Sequence, residues 1–331
     1  MDVAPDPPNR PIALVTAPFR GPGVERLARV ADLVVDPWLD HRPLRLYDAD
    51  QLADRIDAEG ATIVVCEGDV VAGPVLVRPL VAIGSARGDP TNVDVPAATA
   101  AGIPVLHAPG RNADGVAELT VGLLLAVTRQ ILPADRDVRA GEVYRDGTIP
   151  YQRFRGWQLA GRTAGLVGLG AVGRAVRWRL EGLGLRVIAA DPYADDATHT
   201  LDDLLGEADV VSVHAAVTPE TVGLIDRDAI GRMRDGAVFV NTARAALHDL
   251  DALTEAVIEG KLAGVALDHF DGEMLDPAHP IAKLPGVVLT PHIGGATYDT
   301  EANHTAMLAD DLVRLLAGER PCRVANPEVL A

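Results

Sequence analysis

The sequence predicts an α/β protein with two doubly wound parallel-sheet domains, and three observations carry that expectation. Short β-branched runs alternate with amphipathic helical segments, the pattern of parallel strands joined by crossover helices. A chain of 331 residues is too long for one ordinary core. A glycine turn, Gly168-Leu-Gly-Ala-Val-Gly173, stands between a strand and a helix. Hydrophobic residues make up 48% and aromatics only 4%, so the apolar content is mostly Ala, Val and Leu, as buried parallel sheets and their covering helices require.

In the first third, strands are expected over 12–16, 63–66, 81–84 and 104–107, with helices over 23–30 and 49–59 between them. A long helix follows over 115–129, apolar almost all round and therefore buried on several sides, as where two domains meet. After Pro133 comes a polar, poorly periodic stretch over 141–155. A second series then opens, with strands over 163–168, 186–190, 210–214, 237–242, 265–268 and 287–290. Its helices are expected over 171–183, 201–207, 226–233 and 251–259. Six strands with crossover helices match a dinucleotide-binding domain. One long helix over 300–317 closes the chain.

The formal charge is 30 − 47 = −17, which repels polyanions and argues against a nucleic-acid partner. An anionic substrate would need a local basic pocket. Cys66 and Cys322 make neither a disulfide framework nor a tetrahedral metal site, so they read as ordinary thiols and no metal is expected. The N-terminus, Met1-Asp-Val-Ala-Pro-Asp, has no basic or apolar leader region, and no apolar run reaches the length of a membrane span. A cytoplasmic chain is the expectation.

A lone glycine motif is weak evidence, but here a strand runs into it and a helix runs out of it. Gly168 permits the tight turn, Gly170 lets the backbone approach a pyrophosphate, and Gly173 lets helix pack on strand. The anion would rest on the helix N-terminus, where free N–H groups and the dipole favour negative charge. Asp191 ends the next strand, eighteen residues after Gly173. A carboxylate there accepts hydrogen bonds from a ribose and repels a 2′-phosphate, which favours NAD over NADP. The plainer alternative is a structural turn with a solvated aspartate.

From about residue 104 to 297 the chain resembles the D-isomer-specific 2-hydroxyacid dehydrogenases, the family of D-3-phosphoglycerate and D-lactate dehydrogenases. The segments that carry this are Gly161-Arg-Thr-Ala-Gly-Leu-Val-Gly-Leu-Gly, Ala208-Asp-Val-Val-Ser-Val-His, Thr218-Pro-Glu-Thr, Val240-Asn-Thr-Ala-Arg, Ala266-Leu-Asp and Thr290-Pro-His-Ile-Gly-Gly-Ala-Thr. The resemblance implies a catalytic Arg, Glu and His, which fall at Arg244, Glu273 and His292. An arginine can hold a 2-oxo acid's carboxylate and polarise its carbonyl. A histidine can exchange the proton of the forming alkoxide. A glutamate on the other imidazole nitrogen would fix its tautomer and favour its charged form. Taken singly, each would pass for a surface charge or a structural residue.

The same matching places Ala171 and Val172 over the pyrophosphate, and Thr242, Ala243 and Asp268 near the nicotinamide, with Asp268 accepting from the carboxamide. Gly294 and Gly295 would let the backbone beside His292 approach the cofactor. The family further implies two Rossmann-like domains. A flavodoxin-like substrate domain would comprise 1–108 and 296–331, and the NAD-binding domain 109–295. It also implies a homodimer through the long helix near residues 115–129.

Two loops depart from the family. Where it usually carries Gly-Val-Gly-x-Asp-Asn, this chain has Ser85-Ala-Arg-Gly-Asp-Pro-Thr-Asn-Val-Asp94, and its substrate loop reads Cys66-Glu-Gly-Asp69. Glu67, Gly68, Arg87 and Gly88 are accordingly the candidate substrate contacts. Ala245 and Met274 also replace the usual Gly and Pro beside the catalytic Arg and Glu. An acidic loop facing an acidic substrate needs compensation. Arg87, with Arg111, is expected to supply it by reading a second anionic group; the alternative is an ion pair of Arg87 with Asp89 or Glu67. Two further readings stay open: a phosphonate, phosphite or other unusual acid as substrate, and a non-catalytic NAD-sensing protein like the corepressors that resemble this family.

Overall fold

The computed structural model describes residues 10–331; the acidic, proline-rich N-terminus lies outside them. The chain divides into two compact units, residues 10–111 with Thr297–Ala331, and Asn112–Ala296.

The first unit runs β1 (Ile12–Val15), α1 (Pro22–Ala28), β2 (Asp32–Val35), α2 (Ala49–Glu59), β3 (Ile63–Cys66), β4 (Ala82–Ser85), α3 (Val95–Ala100) and β5 (Val105–Leu106). All strands pair in parallel, in the order β2-β1-β3-β4-β5 of flavodoxin-like sheets. The helix over 49–59 falls where its periodicity puts it, because its ends are chemically marked. Asp48 accepts from Gln51 N (2.9 Å), Gln51 reaches back to Asp48 N (3.3 Å), and Gly60 closes the helix in the left-handed region. Two elements escape sequence patterning. Strand β2 is an edge strand with mixed exposure, and α3 is six residues long with Pro96 near its start. The long C-terminal helix (Tyr298–Leu316) belongs to this unit; Leu308 and Leu312 are fully buried in one cluster with Val15, Val65 and Leu106. Burying such leucines contributes roughly 2 kcal/mol each.

The second unit contains α4 (Ala113–Thr128), α5 (Ile131–Ala140), α6 (Pro150–Arg153), β6 (Thr163–Val167), α7 (Ala171–Gly182), β7 (Arg186–Ala190), α8 (Leu201–Glu207), β8 (Val210–Val213), α9 (Arg227–Arg232), β9 (Ala237–Asn241), α10 (Leu250–Ile258), β10 (Leu262–Leu267) and β11 (Val287–Leu289). Its six parallel strands run β11-β10-β9-β8-β6-β7. Alternate side chains feed two cores: Val211, Val213 and Phe239 pack beneath α8–α10, while Val210, Val238 and Val240 pack beneath α4 and α7. Both sheet faces are thus covered, and the strands read as near-continuous apolar runs. Helix α5 was not expected. Pro133 sits in its first turn, where a missing N–H costs nothing, and Gln130 at φ 53° turns the chain out of α4. Among the described residues no single helix is long and apolar enough to cross a membrane.

Chain order reverses between β6 and β8, so the crevice that accepts ligands in doubly wound sheets lies at the carboxyl ends of those strands. Nearly every residue singled out in this unit sits at such an end: Gly168 after β6, Asp191 after β7, Thr242 after β9, Asp268 after β10 and His292 just beyond β11.

Candidate active site

The glycine turn follows β6 without interruption. Gly168 has φ 96°, and a Cβ there would lie 2.6 Å from Ala215 N. A Cβ on Gly173 would lie 2.2 Å from Gly168 O, so neither position admits another residue. A Cβ on Gly170 would meet nothing within 4 Å. Protein packing therefore does not require that glycine; the open space beside it suits a group brought in from outside. Gly170 is the N-cap of α7 and no side chain caps the helix, which leaves the first-turn amides of Ala171, Val172 and Gly173 available to an anion. Asp191 is fixed against this turn: Oδ2 accepts from Leu169 N (2.7 Å) and Oδ1 from Tyr193 N (2.8 Å). Each oxygen keeps a lone pair for a ribose hydroxyl. These residues fit an adenine dinucleotide.

On the other side of the crevice, Thr242 is buried and shares a hydrogen bond with Thr120 (2.8 Å), while Ala243 N donates to Asn241 Oδ1 (2.8 Å). Asn241, 1% exposed, also donates to Arg244 O (2.9 Å), so one buried amide shapes the turn that presents Arg244. The Arg244 guanidinium is exposed. It donates to Ala243 O (2.7 Å) and, among the described residues, forms no ion pair. Asp268, 1% exposed, accepts from Thr290 Oγ1 (2.6 Å), Ile293 N (2.9 Å) and Gly294 N (2.8 Å). It therefore builds the loop that carries His292. A carboxamide would have to share oxygens already engaged three times.

Room at Gly294 and Gly295 is likewise set by protein neighbours. A Cβ at the first would lie 3.1 Å from Asp268 Oδ2, and at the second 3.2 Å from Asn112 Nδ2.

His292 and Glu273 face each other across two loops, with His292 Nδ1 2.9 Å from Glu273 Oε1. Both residues lie in the left-handed region, at φ 54° and 61°, and Gly272 joins them at 60°. Two non-glycine residues held there is the kind of local strain that gathers at functional sites. Arg244 and Glu273 line one open pocket with Val217, His269, Phe270 and Gly272.

Three histidines at these strand ends were not singled out from sequence. His214 ends the motif 208–214; burial pushes it down to about 4, Nε2 pairs with Ser212 Oγ (2.8 Å), and Nδ1 is buried without a partner. His248 is pushed down to about 4 by burial, against the pull of Asp271 and Asp249. His269 lies within 3.4 Å of Glu273 and its ring centroid is 4.2 Å from that of His292. Burial first, then the neighbouring His292 and Arg244, hold His269 below its ordinary value, with Glu273 opposing.

In the first unit the atypical loops are largely committed. Asp69 is fully buried, accepting from Thr16 Oγ1 (2.5 Å) and Tyr47 N (2.8 Å). Glu67 pairs with Arg111, which also donates to His304 Nδ1 (2.7 Å). The acidic loop is thus neutralised by Arg111, the compensation the sequence called for, and this occupies the Arg111 guanidinium. Gly68 lies against Leu46; a Cβ would come within 2.7 Å of Leu46 Cδ2. Cys66 is buried, and burial pushes its thiol well up. Arg87 differs from its surroundings. Half-buried, it donates to Thr91 Oγ1 (3.1 Å), and the expected ion pairs with Asp89 or Glu67 are not formed. Gly88 next to it has only ordinary contacts, with Ala108 and its neighbours.

The chain matches the family model described as D-isomer specific 2-hydroxyacid dehydrogenase, NAD binding domain, over residues 121–294. A glyoxylate reductase of Thermofilum pendens is 37% identical, across 97% of this chain and 96% of that protein. A D-3-phosphoglycerate dehydrogenase of Archaeoglobus fulgidus is 39% identical across 71% of this chain and 45% of its own length. A crystal structure of a Thermus thermophilus protein covers 95% of this chain and 99% of its own, with a TM-score of 0.80 and 34% identity.

Proposed function

Because the chain belongs to the D-isomer specific 2-hydroxyacid dehydrogenase family, we propose that it moves a hydride reversibly between NAD and a small D-2-hydroxy or 2-oxo acid, with Arg244, Glu273 and His292 as its catalytic set. The observation that carries this reading is their convergence: Arg244 and Glu273 line one pocket, and His292 hydrogen-bonds to Glu273. NAD is the cofactor, and when bound it supplies the hydride. Ala171, Val172 and Gly173 would hold its pyrophosphate and Asp191 its ribose. Thr242, Ala243 and Asp268 would border the nicotinamide.

The chain's own residues then divide the work. Arg244, always charged and without a carboxylate partner among the described residues, binds the substrate carboxylate and draws electron density onto the carbonyl oxygen. His292 presents Nε2 to that oxygen and gives it a proton in reduction, or takes one in oxidation. Glu273, accepting from Nδ1, fixes the ring's orientation and tautomer. The test is NADH oxidation over a panel of 2-oxo acids. One or more should turn over, and His292→Ala should lose about 10²–10⁴-fold in rate while still binding NADH. NADH binding without turnover on any acid would favour an NAD-sensing role instead.

One observation favours a narrower reading. Arg87 carries an unpaired guanidinium at the end of β4, beside Gly88. We assign it, with the neighbouring Gly88, to the substrate, while Glu67 and Gly68 border that space from positions already paired or packed, and we assign the acid to a class bearing a second anionic group, as in the phosphoglycerate named for some relatives. A homodimer through α4 fits the exposed Ile131, Leu132, Tyr144 and Trp157 of the segment that follows; sedimentation at micromolar concentration checks it. Two free thiols suit a reducing, cytoplasmic setting.

A further inference from the structure

His269 lines the same pocket as Arg244 and Glu273, and the hydride-transfer reading gives it no task. It enters the pocket from the loop after β10, four residues before Glu273. Its Nε2 lies 3.4 Å from Glu273 Oε1, the same oxygen that lies 2.9 Å from His292 Nδ1, and one ligand atom from each of the three residues falls within 4.8 Å of the others. Two imidazoles and one carboxylate oxygen so arranged are the donor set of open zinc sites, in which three protein ligands leave a fourth position to solvent.

The dimensions agree. With ligand bonds of about 2.0–2.2 Å, the edges of a tetrahedron around zinc measure about 3.3–3.6 Å. The two edges through Glu273 are 3.4 Å and 2.9 Å, and seating a cation requires the exposed Glu273 and His292 side chains to close the third, histidine–histidine edge around it. Side chains of Glu273 and His292 are 56% and 42% exposed, which leaves a path in and an open fourth corner. A chain charge of −17 draws cations towards its surface. Arg244, which lines the same pocket, is the cation that opposes this.

We propose that His269, Glu273 and His292 form a divalent transition-metal site, of the zinc class, whose occupancy switches off the proton relay. The balance is simple. Metal on Nδ1 of His292 displaces the proton that Nδ1 donates to Glu273, which leaves to solvent, and takes the freed lone pair and the carboxylate as ligands. The proton then stays on Nε2, and the ring can no longer release it and take it back. Metal occupancy and proton transfer exclude each other; no redox step is involved.

The site does not depend on turnover, so its test stands apart from that of the proposed activity. Metal-stripped full-length protein is titrated with Co²⁺, read by its visible absorption, and with Zn²⁺, read against a chromophoric chelator. One ion per chain is expected, and Co²⁺ should show the intense bands of a four-coordinate centre. His269→Leu and His269→Gln should each bind Zn²⁺ at least about tenfold more weakly, with NADH binding and the thermal transition retained as evidence of folding. Where an acid turns over, Zn²⁺ should inhibit the wild-type chain and EDTA should reverse it. Wild-type binding no tighter than that of His292→Ala, or equal binding by both His269 variants, overturns the proposal. Metal binding with no turnover on any acid would overturn the dehydrogenase reading and leave the site intact.

Discussion

At the carboxyl edge of the second unit's sheet the candidate reacting groups stay exposed, whereas at the same edge of the first unit's sheet most charged side chains are spent on buried partners. Among the described residues Arg244 has no ion pair, Glu273 and His292 hold each other at the surface, and strain is tolerated in their loops. Glu67, Arg111 and His304 instead form a half-buried to buried network, with Trp38 Nε1 donating to Glu67 (3.3 Å), and the buried Asp69 is held separately by Thr16 and Tyr47. The same topological position serves two purposes. One edge presents reacting groups; the other builds a rigid rim in which Arg87 is the charge left over.

The contrast predicts opposite outcomes for two arginine deletions. Arg111→Met leaves Glu67, whose side chain is only 18% exposed, without its cation. Breaking a pair of this kind should cost about 3 kcal/mol of stability, seen as a downward shift of the first unit's transition in calorimetry. Arg244→Ala should leave thermal stability within about 0.5 kcal/mol, because the side chain is exposed and unpaired. It should lower kcat/KM about 10²–10³-fold, the usual loss for removing a charge aimed at a developing oxyanion. A stable Arg111→Met protein, or a destabilised Arg244→Ala one, would break the distinction between rim and reacting edge.

A pH series sharpens the same point. His304 is fully buried in the first unit; its Nε2 donates to Pro18 O (2.6 Å) and its Nδ1 accepts from Arg111. Burial, with the facing Arg111, pushes it down to about 4, against the Pro18 carbonyl and Glu67. A histidine depressed in the folded state is protonated first in the unfolded chain. Full stability therefore holds above pH 6.5 and falls as pH drops from 6.5 towards 4, by up to roughly 3 kcal/mol. In Arg111→Met the guanidinium no longer opposes the proton, so this acid loss should shrink. Urea denaturation at pH 7, 5.5 and 4.5 on both proteins measures it; an equal slope in the two would detach His304 from the network.

How much of this was legible in sequence follows from range. Residues 168–173 encode their own geometry: the turn, the close approach of Gly173 to Gly168 O and the exit helix all lie within one supersecondary unit. Asp191 and the succession of six strands along the chain were readable for the same reason. The expected Arg, Glu and His came from motif order, and the structure gathers them, although they are 29 and 19 residues apart in the chain. Asp268 was readable as a strand-end acid, but its three donors from the 290–294 loop were not. His269 looked like any residue after a strand, because its significance lies in a ring tilted against that of His292. The Glu67–Arg111–His304 network spans up to 237 positions of sequence, from 67 to 304, and no local pattern announces it.

Arg87 is where the comparison has its smallest and most specific consequence. It shares the first unit's rim but none of its pairing, since Thr91 Oγ1 is a neutral partner and no carboxylate lies within 4.0 Å among the described residues. A guanidinium kept half-buried without a counter-ion carries a standing desolvation cost, and an incoming anion would relieve it. Arg87→Met preserves the length and apolar stem while removing the charge. For a 2-oxo acid with a second anionic group, kcat/KM should fall about five- to tenfold, or roughly 1 kcal/mol, and mainly through KM because the contact is remote from the reacting carbonyl. For a monocarboxylate of equal length it should not change. Equal losses on both acids would make Arg87 part of the rim, like Arg111, and return the substrate to the simple monocarboxylates.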